Sequence, residues 1–282
     1  MSQITAGAVK ALRDRTGAGM MDCKRALIEA EGDTERAIDL LRKAGAAKAA
    51  KRVARTVSEG TIQVAMQDGS ASMVEVLSET DFVARSDAFE AFSKGLARRM
   101  LDLPAGDGET LEGHAILGLA GGGEIESGLN ELRVQVGENV QVGRAVRYDL
   151  GAGGGFASYV HFGNRIGVLV EISDAGDAAL EAARGIAMHA AATNPQGVSP
   201  DDIPAELVER ERALLTEQAL EEGKPPSITE KIVSGRMRKF FEENALLWQS
   251  YVRDPDRKVK DLLGDVGQDV AVRRFVRFEV GG

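Results

Sequence analysis

Cysteine is nearly absent from this chain of 282 residues; Cys23 is the single one. No internal disulfide and no Cys-x-x-Cys site can form, which suits a reducing compartment. No apolar run is long enough to span a bilayer. The opening stretch M-S-Q-I-T-A-G-A-V-K lacks the apolar core of a signal peptide, so the expectation is a cytoplasmic protein with no membrane partner. Histidine is scarce as well. His114, His161 and His189 stand far apart, without ligand spacing such as H-x-x-x-H. There is no G-x-S-x-G nucleophile turn and no G-x-x-x-x-G-K-[ST] phosphate loop. Carboxylates number 44, so a pair of them on one face singles nothing out. No catalytic set emerges, and neither an enzyme activity nor a cofactor or metal is expected. The net charge of −9 argues against the chain as a whole binding nucleic acid or an anionic membrane.

What is present is ordinary for a globular protein, with 43% hydrophobic and 28% charged residues. The length allows a sizeable core and two or three domains. Residues 1–54 read as a separate helical module. Ile4, Ala8, Val9 and Leu12 recur at helical spacing, and Thr16-Gly17-Ala18-Gly19 stops that helix. Met20-Met21-Asp22 opens a second helix, which carries Ala26, Leu27 and Ala30 and ends at Gly32. Asp33 is an N-cap for a third, with Ala37, Ile38, Leu40 and Leu41 as its buried stripe. The run G-A-G-M-M-D-C-K-R-A-L resembles the ubiquitin-associated type of three-helix domain, which implies protein binding. Met20 and Met21 serve either as an adaptable apolar contact surface or as core. Cys23 is expected to be a small buried residue. Arg42, Lys43, Lys48, Lys51, Arg52 and Arg55 then follow, interleaved with alanine. Such a helix could touch RNA, but no aromatic residue interleaves the charges. A solvated helical linker is the favoured reading.

Residues 60–79 read as strand, turn, strand around Gln67-Asp68-Gly69-Ser70, a hairpin signal. The second strand ends in V-E-V-L-S-E-T-D-F-V-A-R, where an acidic turn precedes an apolar pair. Asp81 and Phe82 either project from this turn towards a partner, or Asp81 caps the next helix and Phe82 packs beneath it. A helix capped by Ser86 follows, with Phe89, Phe92, Leu96 and Met100 on one face. Residues 156–192 repeat the plan. F-A-S-Y-V-H-F is a strand, Gly163-Asn164-Arg165 a turn and I-G-V-L-V-E-I a strand, before a helix with Leu180, Ala183, Ala187 and Ala190 on one face. His189 on that helix is expected to be packed, and His161 beside the turn is the better surface candidate. The tails match too: G-E-N-V-Q-V-G-R-A-V-R-Y at 137–148 parallels G-Q-D-V-A-V-R-R-F-V-R-F at 267–278.

The fold class is therefore α+β, with two related subdomains, 55–149 and 150–282, each a small antiparallel sheet covered by helices. The glycine-rich segment 118–128 reads as a flexible surface loop, and Gly151 to Gly155 as the joint between subdomains. The second subdomain holds an insertion at about 200–247, in which Pro200 to Glu222 and Ile228 to Leu247 are amphipathic helices around Gly223-Lys224-Pro225-Pro226. Leu207, Leu214, Leu215 and Ala219 are expected to face Ile232, Met237, Phe240 and Phe241 in a helical hairpin.

L-R-D-R-T-G-A-G-M-M-D-C-K-R-A-L at 12–27 and S-E-T-D-F-V-A-R at 78–85 are similar to the two signature segments of the elongation factor Ts family. S-Y-V-H-F-G-N-R-I-G-V-L-V at 158–170, G-R-M-R-K-F-F-E-E at 235–243 and F-V-R-F-E-V-G at 275–281 resemble its later blocks, in order and over nearly the full chain. The resemblance implies a ubiquitin-associated-like domain, two core subdomains and a coiled-coil arm. It implies guanine-nucleotide exchange on elongation factor Tu, without bond-making chemistry and without direct contact to nucleic acid. By motif, Thr80, Asp81, Phe82 and Val83 belong to the segment that disturbs the partner's magnesium and phosphate site. Arg13, Met20 and Met21 match contacts of the helical domain, Val136 and Gly137 the turn beside that segment, and His161 a contact of the second subdomain. Phe162 and the strand end V-L-S-E depart from the family pattern, which has Gly and an Asn-Cys type of pair there. A homodimer or a two-plus-two complex with the partner stays open. Two rivals remain: an RNA- or ribosome-binding translation factor acting through 42–55, and a small-molecule enzyme with a site between the subdomains.

Overall fold

A computed structural model describes residues 4–16, 18–52, 54–67, 69–222 and 225–282; the side chains of 46–51, 226 and 227 are outside the description. The predicted turn residues Gly17, Asp68, Gly223 and Lys224 lie outside the described residues. The chain divides into two compact units, Met1–Ala65 with Ser72–Tyr148 and Val280–Gly282, and Met66–Ala71 with Asp149–Glu279.

In the first unit, α1 (Ala6–Thr16), α2 (Met20–Glu29) and α3 (Thr34–Arg52) enclose their own small core. Val9, Leu12, Cys23, Ala26, Leu27, Ala37 and Leu41 are buried there. Ala8 is exposed, one position off the buried row of α1. Asp33 caps α3 as expected, its carboxylate accepting from the amides of Glu35 and Arg36 at 3.0 and 3.1 Å. The basic segment is the second half of this same helix, up to Arg52.

The hairpin strands β1 (Glu59–Gln67) and β2 (Ser70–Ser78) follow. A single helical turn, α4 (Asp81–Ala84), leads into α5 (Asp87–Met100), which Ser86 caps. Then come β3 (Thr110–Glu112), α6 (Gly113–Gly118), α7 (Gly122–Val136) and β4 (Val140–Asp149). The sheet order is β1-β2-β4-β3. Phe89, Leu96 and Met100 of α5 and Ile125, Leu129 and Leu132 of α7 close over Val74, Val76, Val140 and Val142 of the sheet.

The expected loop at 118–128 is corrected here: residues from Gly122 onward are helical. Ile125, Leu129 and Leu132 recur at helical spacing and bury an apolar face, and that burial outweighs the low helix propensity of glycine. Gly122 is required by space, since a Cβ there would lie 2.3 Å from the carbonyl oxygen of Leu117.

The second unit has β5 (Gly155–Val160), β6 (Ile166–Ile172) and α8 (Asp177–Thr193). A 3-10 turn at Pro200–Asp202 leads to α9 (Ala205–Glu221) and α10 (Pro226–Asn244), the expected hairpin. Leu215, Ala219, Val233 and Met237 form its buried seam. Leu214, placed in that seam from the sequence, is 47% exposed, and Val233 fills the interior instead. A 3-10 turn at Leu246–Trp248, the short ribbon β7 (Ser250–Tyr251) and β8 (Asp254–Lys258), α11 (Val259–Val266) and β9 (Val272–Glu279) complete it. The main sheet runs β5-β6-β9, antiparallel throughout. Strand β5 ends at Val160, two residues short of the Phe162 end that the sequence pattern gives it.

Each sheet sets a returning strand beside the second strand of a hairpin, β4 beside β2 and β9 beside β6. Each also buries one glutamate on that second strand. Glu75 in β2 is 3% exposed and pairs with Arg144 of β4 at 3.0 Å. Glu171 in β6 is 2% exposed and pairs with Arg274 of β9 at 2.7 Å.

Candidate functional site

The turn after β2 is built by Thr80. Its backbone is extended (φ −126°, ψ 157°), and its hydroxyl oxygen accepts from the amide of Val83 at 3.4 Å. Thr80, and not Asp81, is thus the cap of this helical turn. Both the amide and the hydroxyl of Thr80 donate to the carboxylate of Glu138, at 3.1 and 2.8 Å. Glu79 accepts from the amide of Asn139 at 2.6 Å and from Arg55 at 3.4 Å. Asn139 is fully buried and donates its side-chain amide to the carbonyl of Arg55 at 2.8 Å. Ser78 donates to the carbonyl of Thr80 at 2.9 Å. The turn is therefore held by charge-assisted bonds from two distant segments.

Val83 packs into the core beneath, whereas Phe82 is 84% exposed. An exposed phenyl ring on a firmly braced turn has no stabilising burial of its own. The reading in which Phe82 packs beneath the next helix is therefore set aside. Asp81 pairs with Arg85 at 3.2 Å on the surface, an exposed pair that water and salt weaken.

Val136 and Gly137 close α7 immediately before Glu138. Gly137 has φ +77°, a left-handed helix end that glycine takes without a Cβ clash. This aims Glu138 and Asn139 back at the turn; Val136 itself is half-buried against the core. In the helical module, Met20 and Met21 on α2 are 48% and 65% exposed, with Ile28 of the same helix also exposed. Arg13 on α1 is exposed. All these residues lie in the first unit.

His161 belongs to the second unit. It sits in the β5–β6 turn, with its amide donating to the carbonyl of Ile166 at 2.9 Å. Its Nδ1 shares a hydrogen bond with the hydroxyl of Tyr159 at 2.9 Å. The neighbouring Phe162 is 97% exposed.

Sequence reasoning missed Glu138, Glu79 and Asn139. Their role depends on partners some sixty positions away in the chain, and no local pattern carries that signal. Ile28 was legible in principle, because it lies outside the stripe of Ala26, Leu27 and Ala30.

The Elongation factor TS family model matches residues 79–282, beginning one residue before the braced threonine. The chain is similar over its length to proteins named Elongation factor Ts. The one from Alkalilimnicola ehrlichii is 49% identical over 280 residues, spanning 99% of this chain and 92% of that protein. The one from Thioalkalivibrio sulfidiphilus is 48% identical with the same coverage. That of Caulobacter vibrioides is 43% identical over 296 residues, spanning 100% of this chain and 93% of the relative.

Proposed function

The chain belongs to the elongation factor Ts family, a family of translation elongation factors, and from that premise we propose that it is a guanine-nucleotide exchange factor for elongation factor Tu. The observation that carries this reading is Phe82, 84% exposed on a turn fixed from both sides. A preorganised aromatic side chain has the character of an interface anchor, because little freedom is lost when it is seated.

Phe82 enters between elements of the partner that hold its nucleotide site. A Mg²⁺ ion bridging phosphates demands near-ideal octahedral geometry, so small displacements of its shell are costly. Asp81 brings a negative charge beside groups arranged around phosphate. Thr80 and Val83 hold the two in place, the one by capping and the other by packing. The thermodynamics follow from linkage: a factor that binds the nucleotide-free partner more tightly than the GDP-bound form weakens GDP binding by the same ratio. No covalent bond is made or broken.

Around this turn, Arg13, Met20 and Met21 supply a second contact through the helical module. Val136 and Gly137 line the turn's flank, and His161 contributes from the second unit. The same reading gives the architecture: a ubiquitin-associated-like module at 1–54, subdomains at 55–149 and 150–282 related by duplication, and a coiled-coil arm inserted in the second. The matching Glu–Arg pairs Glu75–Arg144 and Glu171–Arg274 support the duplication. The site of action is the cytoplasm, where translation takes place.

The test is release of a fluorescent GDP from purified elongation factor Tu. Substoichiometric amounts of the chain should accelerate release over many turnovers, while the chain alone retains no guanine nucleotide. Unchanged release at stoichiometric excess would reject the proposal.

A further inference from the structure

The second unit holds a groove of about 440 Å³ that the exchange reading does not use. It is lined by Arg212 of α9, Arg238 and Phe241 of α10, Trp248 of the 3-10 turn, Lys258 at the end of β8 and Lys260 of α11. We propose that this groove binds single-stranded RNA, seating a base against Trp248 and phosphates against the surrounding cations.

Charge is the first argument. Four cationic side chains face one carboxylate, Glu242, in a chain whose net charge is −9. Glu242 takes Arg238 at 3.5 Å and Lys258 at 3.4 Å. The side chains of Arg212 and Lys260 have no ion-pair partner among the described residues. Four cations with one counter-charge leave a net positive cluster that repels itself, and a polyanion relieves that repulsion while releasing its own counterions.

The aromatic residue is the second argument. Trp248 is 37% exposed at the groove. Phe241 packs edge-on against it, with ring centroids 6.4 Å apart. The turn that carries Trp248 is tied down, since the amides of Leu246 and Leu247 donate to the carbonyls of Gly197 and Val198 at 2.9 and 3.0 Å. A fixed indole among cations is the combination that binds single-stranded nucleic acid through stacking and backbone contact. An acidic peptide would satisfy the cations and leave the indole without a role. The basic half of α3 lacks any such ring, so the groove supplies what that segment does not. The proposal stands apart from the exchange reading and uses none of its residues.

Trp248 is the chain's single tryptophan, so its fluorescence reports on the groove alone. Titrating the full chain with a short oligouridylate should quench that emission. With about three phosphates engaged, raising salt from roughly 50 to 200 mM should weaken binding on the order of ten-fold. Lys260→Ala and Arg212→Ala should each weaken it while leaving the thermal melt unchanged. Trp248→Leu, followed by anisotropy of a labelled oligouridylate, should weaken it about five-fold or more. Two results would overturn the proposal: no quenching by oligouridylate, or equal quenching by polyglutamate, which would make the groove a site for acidic peptides.

Discussion

Phe82 and Phe89 stand on either side of the cap at Ser86 and meet opposite environments, one 84% exposed and the other fully buried. The difference is set by residues that point elsewhere. Val83 takes the place in the core that the Phe82 ring would otherwise compete for, and Glu138 fixes the backbone of Thr80. Glu138→Ala should cost about 1.5–3 kcal/mol, the scale of a hydrogen bond to a charged acceptor. It should slow GDP release more than the change in the thermal melt accounts for, because the turn loses its aim while the fold persists. Glu138→Gln, which keeps an acceptor for Thr80, should recover part of the rate. A second residue-scale prediction concerns Glu171. Burial raises the pKa of its carboxyl, but bonds from the Gly151 amide, Arg273 and Arg274 outweigh this and hold it below the ordinary carboxylate range. That stability is present above the ordinary range and is lost as pH falls through the lowered value. Glu171→Ala should cost about 3 kcal/mol, the lower end for breaking a buried pair, since both arginines are about one-third exposed. Urea unfolding at neutral pH measures it, and Glu171→Gln should flatten the acid limb of the stability curve.

At the scale of elements, α8 carries a titration of its own. His189 is fully buried, and its Nδ1 accepts from the amide of Val252 at 3.2 Å, so its Nε2–H donates to Gln249 at 2.8 Å. Burial lowers its pKa more than the Gln249 bond raises it. A histidine held neutral in the fold gives stability that is complete above its unfolded pKa, about 6.5, and declines as pH falls below that value. The urea midpoint should therefore drop between about pH 7.5 and 5.5, and a neutral replacement that folds should lessen the drop. Legibility also differs by element. The hairpins, α5, α8 and the returning strands were readable because each pairs a strong period with a turn or cap. Helix α7 was not, because Gly121, Gly122 and Gly123 open it, and glycine by itself says turn. Its helical spacing of Ile125, Leu129 and Leu132 was the better signal. Leu214 failed for another reason: in a two-helix hairpin the seam is narrow, and one step along α9 turns a leucine to solvent.

For the molecule as a whole, the T-D-F-V segment was identifiable in the sequence, and the choice between its buried and its exposed reading was not. That choice rests on braces drawn from Arg55 and from Glu138 and Asn139, which only the folded chain brings to the turn. Net charge is a sum over the chain and carries no local information at the same scale: −9 overall is compatible with four cations lining one groove. The central claim is that the exposed ring drives exchange and does little for the fold. The most direct measurement is stopped-flow release of labelled GDP from elongation factor Tu by Phe82→Ala, beside thermal melts of that variant and of Phe89→Ala. Phe89→Ala should lose about 3–5 kcal/mol of stability. Phe82→Ala should melt like the parent and lose about 2 kcal/mol or more in binding, with release slowed ten-fold or more by the rule that about 1.4 kcal/mol is one decade. A large drop in the melting temperature of Phe82→Ala, with exchange per folded molecule intact, would contradict the account.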